Sequence, residues 1–176
     1  SADSASTMWT LEALVLLEGP EGKRTVPICE FYTGPGRTVR DRCEVCTGFV
    51  IRKENFEGWH GHYAKYGKRK SMEIATLGCA VRVKLDPDRK RFEEVRLGYG
   101  VAGPTPLRCR KAEELLKGCE TADEGAIQAF AKAALDEVNP RSPGELPRSS
   151  VSSSLRSWQN AHYAKQSKKA GGVINA

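Results

Sequence analysis

The reactive side chains of this 176-residue sequence are six cysteines, three histidines and one dense basic run. Cys43-x-x-Cys46 is followed by His60-x-His62. Zinc takes four ligands of these types in a tetrahedron. The cysteine spacing suits it, but the two histidines lack the usual gap of about three to five residues. On a strand both histidines would point the same way, so a site is geometrically feasible. Two solvent-facing histidines beside Gly61 are the simpler expectation. A CxxC redox pair needs a helix N-terminus to lower a thiol pKa, and none is evident near Cys43. Lys65-Tyr66-Gly67-Lys68-Arg69-Lys70 interleaves aromatic and basic residues, a pattern suited to phosphates. No nucleic-acid fold signature accompanies it. Gly98-x-Gly100-x-x-Gly103 spells a dinucleotide fingerprint, but it lies on a strand and Pro104 follows where a helix should begin. It is not read as one.

The elements that must position these residues are legible from apolar periodicity. Leu11–Leu17 is an apolar run of strand length closed by Gly19-Pro20. With Arg24–Phe31 it reads as a hairpin around Glu18–Lys23. Gly34-Pro35-Gly36 is a loop, and Val45–Arg52 a third strand. Lys53–His62 is polar and aromatic with no clear period. Val81, Val83 and Leu85 alternate with Arg82 and Lys84, a half-buried strand. After the turn Asp86-Pro87-Asp88, Val95, Leu97, Tyr99 and Val101 alternate in the same way. The pair makes a long antiparallel hairpin with one apolar face that needs a cover. Two helices can supply it. One spans Lys111–Lys117 and stops at Gly118. The other follows a capping box at Thr121-x-x-Glu124, with Ile127, Phe130, Ala131, Ala134, Leu135 and Val138 at helical spacing. It ends at Asn139-Pro140. Residues 73–138 therefore form an α+β module. Ser142–Ser154 reads as a linker, and Leu155–Lys169 as a short helix with a poor apolar pattern.

Hydrophobic residues make up 39% and charged residues 28%, a balance that supports a core. No apolar run reaches the roughly 18 residues of a membrane span. No signal peptide is visible, so a cytoplasmic location is expected, with neither membrane nor nucleic acid as a partner. The net charge of +6 is uneven. Residues 1–58 hold 7 Lys/Arg against 9 Asp/Glu, residues 59–141 hold 16 against 12, and residues 142–176 hold 5 against 1. The sequence opens Ser-Ala-Asp-Ser rather than with Met, so a fragment, a processed product or a remnant of a longer gene is expected.

Several segments, in order, resemble one family. Ser1-Ala-Asp-Ser-Ala-Ser6 resembles the end of the flavin-contacting loop in the FAD-binding subunits of molybdenum hydroxylases of the xanthine dehydrogenase type. Phe31-Tyr-Thr-Gly-Pro-Gly-Arg-Thr38 resembles the loop before that family's next strand. Lys65-x-x-x-Arg69-x-x-x-Glu73-Ile-Ala75 is similar to its K-x-x-x-R-x-x-x-D-I-A stretch. Gly98 to Arg108 resembles its G-x-x-x-P-x-R turn into a helix, and Asn139-Pro-Arg-Ser142 its P-R-S element. The resemblance covers roughly residues 1–142.

The resemblance implies an α+β fold: residues 1–58 as the last strands of an FAD-binding domain, residues 59–141 as a C-terminal domain with an antiparallel three-stranded sheet packed on helices, and residues 142–176 as linker and basic tail. It implies Lys65 as the cation near the flavin pyrimidine ring, Asp3 and Ser1 in the flavin-contacting loop, and Cys46 where the family has a leucine lining the ring. Arg69 and Glu73 look like a structural charge pair. The implied role is electron transfer during oxidation of a purine or N-heterocycle. Electrons would pass from 2Fe-2S clusters through FAD to NAD+ or another acceptor, with the molybdenum cofactor and the clusters on partner subunits. Gly-Gly-Thr and Gly-Gly-Asn, the loops that would cradle the pyrophosphate, are absent from the sequence. The competing reading is therefore a scaffold or docking piece that holds no FAD.

Overall fold

The computed structural model describes residues 3–67, 69 and 74–139. Helix α1 (Ala5–Thr10) comes first, then strands β1 (Leu14–Gly19) and β2 (Gly22–Pro27), short helix α2 (Ile28–Phe31), strands β3 (Tyr32–Gly34) and β4 (Arg37–Thr38), and strand β5 (Val45–Val50). A 3-10 turn at Lys53–Asn55 leads to β6 (Trp59–Tyr66), β7 (Leu77–Leu85), β8 (Phe92–Gly100) and β9 (Leu107–Arg108). Helices α3 (Arg110–Leu116) and α4 (Glu124–Asp136) complete the described elements.

Two main sheets result. The first has the order β2-β1-β5, the second β6-β7-β8-β9, and β3 pairs with β4 around Gly34-Pro35-Gly36. All pairings are antiparallel. The fold class is α+β, as expected. The second sheet carries a fourth, two-residue strand that the three-stranded expectation lacked. It forms because the chain leaving β8 turns back to pair Leu107 with Tyr99 and Arg108 with Gly98 before entering α3.

The main core lies between the second sheet and helices α3 and α4. Leu77, Cys79, Val81 and Val83 of β7 join Phe92, Val95, Leu97 and Tyr99 of β8 against Ala112, Leu116, Ile127 and Phe130. These are the odd positions of β7 and the apolar stripe of α4, as period 2 and period 3.6 require. A smaller core gathers Ala13, Val15, Leu17, Val26 and Ile28 beneath the first sheet.

Three local expectations change. The run from Leu11 does not start a strand. Residues 5–10 form α1, Leu11 caps it, and β1 begins at Leu14. The cap of α4 is Asp123, whose carboxylate accepts the Ala126 N–H at 2.9 Å. Thr121 lies two residues before that cap, buried, with its N–H bonded to the Lys90 carbonyl. Finally, Arg82 and Arg96, read as solvent-facing, are buried. The second sheet is covered on both faces, because α1 and Trp59 lie over the side opposite the helices. Ser142–Ser154, Leu155–Lys169 and Glu73 lie outside the described residues. No helix among the described residues is long and apolar enough to cross a membrane.

Candidate functional site

Lys65 lies near the end of β6, and its partner across the sheet is Gly78. Alternation puts Tyr63, Lys65, Gly78, Ala80 and Arg82 on one face. Helix α1 rests on that face. A Cβ added at Gly98 would sit 2.7 Å from the Ser6 carbonyl oxygen and 3.0 Å from the Thr10 methyl. Glycine is required there because backbone lies directly on backbone. This accounts for the first glycine of Gly98-x-Gly100-x-x-Gly103, which serves helix docking.

The docked helix delivers its preceding residues to β6. Asp3 Oδ2 lies 2.6 Å from Lys65 Nζ, 62 residues on in sequence. Both side chains are partly exposed, at 46% and 38%. Beneath them the Ser6 and Tyr63 hydroxyls are buried without a hydrogen-bond partner among the described residues. The Tyr63 phenol pKa is raised, first by burial and then by the charges of Asp3 and Cys79. The tertiary structure thus brings two of the four expected site residues into contact. Cys46 stands elsewhere, on β5 of the first sheet opposite Leu17, exposed, with its Sγ 3.7 Å from the Gly48 carbonyl. It adjoins Tyr32, whose phenol is pushed up by burial and then by the Cys46 charge. Ser1 lies outside the described residues.

The histidines and cysteines are separated. His60 and His62 pair with Val83 and Val81 on the helix-facing side of β6, whereas Cys46 is on the first sheet. Among the described residues, no group of three or more His, Cys, Asp or Glu is disposed to hold a metal ion.

A buried cluster that the sequence did not announce locks α1 in place. Arg82 and Arg96 are cross-strand partners. Their guanidinium carbons lie 5.3 and 4.2 Å from the Trp59 ring centroid. Stacking on an aromatic face lets two like charges share a buried site. Arg82 donates to the Asn55 carbonyl. Arg96 donates to Asn55 Oδ1 at 2.9 Å, to the Thr10 carbonyl at 3.2 Å and to Glu94 at 2.8 Å. Burial, then the charge of Arg96, lowers the Arg82 pKa to about 10. Next to them Arg108 binds Glu12 at 2.6 Å and Glu113 at 2.6 Å. Burial alone would pull the Arg108 pKa down, but bonding to Glu113 and then Glu12 more than offsets it, and the net shift is upward. Glu12 reaches both Arg96 and Arg108 from a left-handed backbone, φ 48°. The sequence signal was two arginines facing each other across a hairpin, a like-charge pair that needs an aromatic or an acceptor over it.

The arrangement holds one ammonium, Lys65 Nζ, against one carboxylate at the end of β6. It does not make a phosphate cradle.

Comparison with known proteins gives the family. Residues 62–149 match the CO dehydrogenase flavoprotein C-terminal domain. The xanthine dehydrogenase FAD-binding subunit of Escherichia coli O157:H7 is 36% identical over 142 residues, 81% of this chain and 48% of that protein. The carbon monoxide dehydrogenase medium chain of Hydrogenophaga pseudoflava is 34% identical over 130 residues, 74% of this chain and 44% of that one. A solved structure of carbon monoxide dehydrogenase from the same organism superposes with a TM-score of 0.75 at 27% identity, covering 91% of this chain and 55% of that chain. The chain spans about half the length of these curated relatives. With a family model matching half its residues and the same fold in a solved relative, the chain belongs to the CO dehydrogenase flavoprotein C-terminal domain family and corresponds to the C-terminal portion of molybdenum-hydroxylase FAD subunits.

Proposed function

We infer that the chain builds one wall of a flavin site in a multi-subunit molybdenum hydroxylase. Residues 1–58 would end the FAD-binding domain, residues 59–141 would form the C-terminal domain, and residues 142–176 would be a tail. Lys65 would face the pyrimidine end of the ring, with Asp3 and Ser1 in the adjoining loop and Cys46 as a small apolar contact. The observation that carries this reading is the 2.6 Å contact between Lys65 and Asp3, which puts the expected cation and the expected loop in one place. FAD, when bound, supplies exchange of electrons between iron–sulfur clusters and a final acceptor, NAD+ or another. Lys65 places positive charge where negative charge gathers on reduction, and so favours the reduced form. Asp3 fixes the ammonium and offsets part of its charge. Partner subunits would carry the molybdenum cofactor and the 2Fe-2S clusters, the substrate would be a purine or other N-heterocycle, and the location would be the cytoplasm.

FAD titrated into the folded chain, followed by flavin fluorescence, tests the reading. Saturable micromolar binding is expected, and Lys65→Ala should weaken it. The same substitution should lower the two-electron midpoint potential by about 30 mV, the equivalent of about 1.4 kcal/mol. Unchanged affinity and potential would remove Lys65 from the site. Failure of the folded wild-type chain to bind would favour the second reading, a scaffold or docking piece. The specific observation behind that reading is the absence of a Gly-Gly-Thr or Gly-Gly-Asn phosphate loop from the sequence.

A further inference from the structure

Two hydroxyls lie beneath the Asp3–Lys65 contact. Tyr63 Oη and Ser6 Oγ are buried, and neither has a hydrogen-bond partner among the described residues. They stand together: a Cβ at Gly78 would lie 3.1 Å from the phenol oxygen and 3.6 Å from the serine oxygen. Glycine at position 78 leaves room for the end of the tyrosine ring under α1. A phenylalanine would fill that room equally well and would bury no unmet donor, so packing does not account for the phenol oxygen. Buried hydroxyls are normally bonded.

Asp3 is the charged acceptor at hand. It lies three residues ahead of Ser6, outside α1, and its carboxylate is partly exposed. The phenol pKa is raised first by burial and then by the Asp3 charge, so the carboxylate is within electrostatic reach of it. Among the described residues, Lys65 is the one group bonded to that carboxylate, and turning the Asp3 side chain breaks that contact alone. We propose that Tyr63 is a positioning residue whose hydroxyl is the second partner of Asp3: the carboxylate rests on Lys65 until the ammonium is drawn to another group, and then turns to the Tyr63 O–H, with Ser6 beside it. A hydrogen bond from a hydroxyl to a carboxylate is about twice as strong as one between neutral groups, which offsets part of the loss of the ion pair. The consequence for flavin rests on the reading above: the ring is the group that draws the ammonium, and the Tyr63 bond keeps Asp3 from competing for it.

A double-mutant cycle tests the exchange of partners without flavin. Lys65→Met removes the ammonium and keeps a long side chain. Tyr63→Phe should raise the unfolding equilibrium constant about tenfold in the Lys65→Met background, the worth of a hydrogen bond to a charged group. In the wild-type background, where the hydroxyl has no such partner, the change should stay below about twofold, and the difference between backgrounds is the coupling. Adding Asp3→Ala to Lys65→Met should abolish the tenfold loss. Equal losses in the two backgrounds would overturn the proposal, because the hydroxyl would then be bonded alike with and without the ammonium. A loss that persists after Asp3→Ala would overturn it as well, since another acceptor would hold the phenol. All variants are checked for folding by circular dichroism. FAD titration reads the flavin site separately. There Tyr63→Phe should weaken binding about fivefold, and a folded Tyr63→Phe variant that binds FAD as tightly as wild type would overturn the role at the loaded site. The expected coupling in a wild-type chain that binds no FAD would defeat the flavin reading and leave the Asp3 exchange standing.

Discussion

Arg108 and Glu113 are a buried ion pair, with side chains 6% and 7% exposed. Glu113 also accepts the Leu97 N–H at 2.8 Å and the Arg108 Nε–H at 2.9 Å. Removing Glu113 leaves Arg108 with Glu12 but takes the acceptor from the buried Leu97 N–H, which costs about 1–3 kcal/mol. Glu113→Ala should therefore lower the urea stability by that amount, far more than a surface glutamate would. The Arg24–Glu44 pair behaves differently, because it lies nearer the surface, with side chains 45% and 13% exposed. Hydrogen bonds from Arg24 and then from the Asp41 N–H hold the Glu44 carboxyl at about 2, below its ordinary 4.5. Its folded-state pKa is depressed, so its contribution is complete above about 4.5 and is lost as pH falls through about 2. Arg24→Ala should return the Glu44 midpoint, read by carboxyl carbon NMR, toward the ordinary range. A midpoint still near 2 would show that the pairing is not the cause.

At the scale of elements, α1 is the piece on which the candidate site depends. It is six residues long, too short to be stable alone. It holds because Gly98 admits its backbone and because Arg96 donates to the Thr10 carbonyl at its end. Gly98→Ala should cost about 1–3 kcal/mol by overpacking. It should also separate Asp3 from Lys65, seen as loss of contacts between the two side chains by NMR. Helix α4 relies on its own cap: Asp123→Ala should cost about 1 kcal/mol, measured by thermal unfolding. The capping-box reading erred because Thr121 and Asp123 both offer oxygens near the helix start. Only the fold decides where the helix starts: α4 begins at Glu124, which makes Asp123 its cap and leaves Thr121 two residues too early.

Across the whole molecule the two cores are unequal. Sixteen buried residues lie in the core of the second sheet and five in that of the first, among those described. Local opening follows the smaller core. Amides of β1 and β2 should exchange faster than those of β7 and β8, by at least tenfold in native-state hydrogen exchange. Equal rates would mean that α1 couples the two sheets into one cooperative unit.

Alternation and helical spacing determined the β7–β8 hairpin and α4, because burying one face of an element leaves a local period in the chain, while an apolar run closed by Gly19-Pro20 marked the β1–β2 hairpin and Gly118 the end of α3. Ordered short motifs carried the family resemblance, and with it Lys65 and Asp3. Nothing local could reveal α1: its six residues are too few to show a helical period, and what holds it is Gly98, some ninety positions away. The second face of the sheet was hidden for the same reason. Arg82 and Arg96 look like solvent residues until Trp59, Asn55 and Glu12 are folded over them. The contact of Asp3 with Lys65 is likewise decided only in three dimensions, because it depends on which distant segment comes to lie alongside.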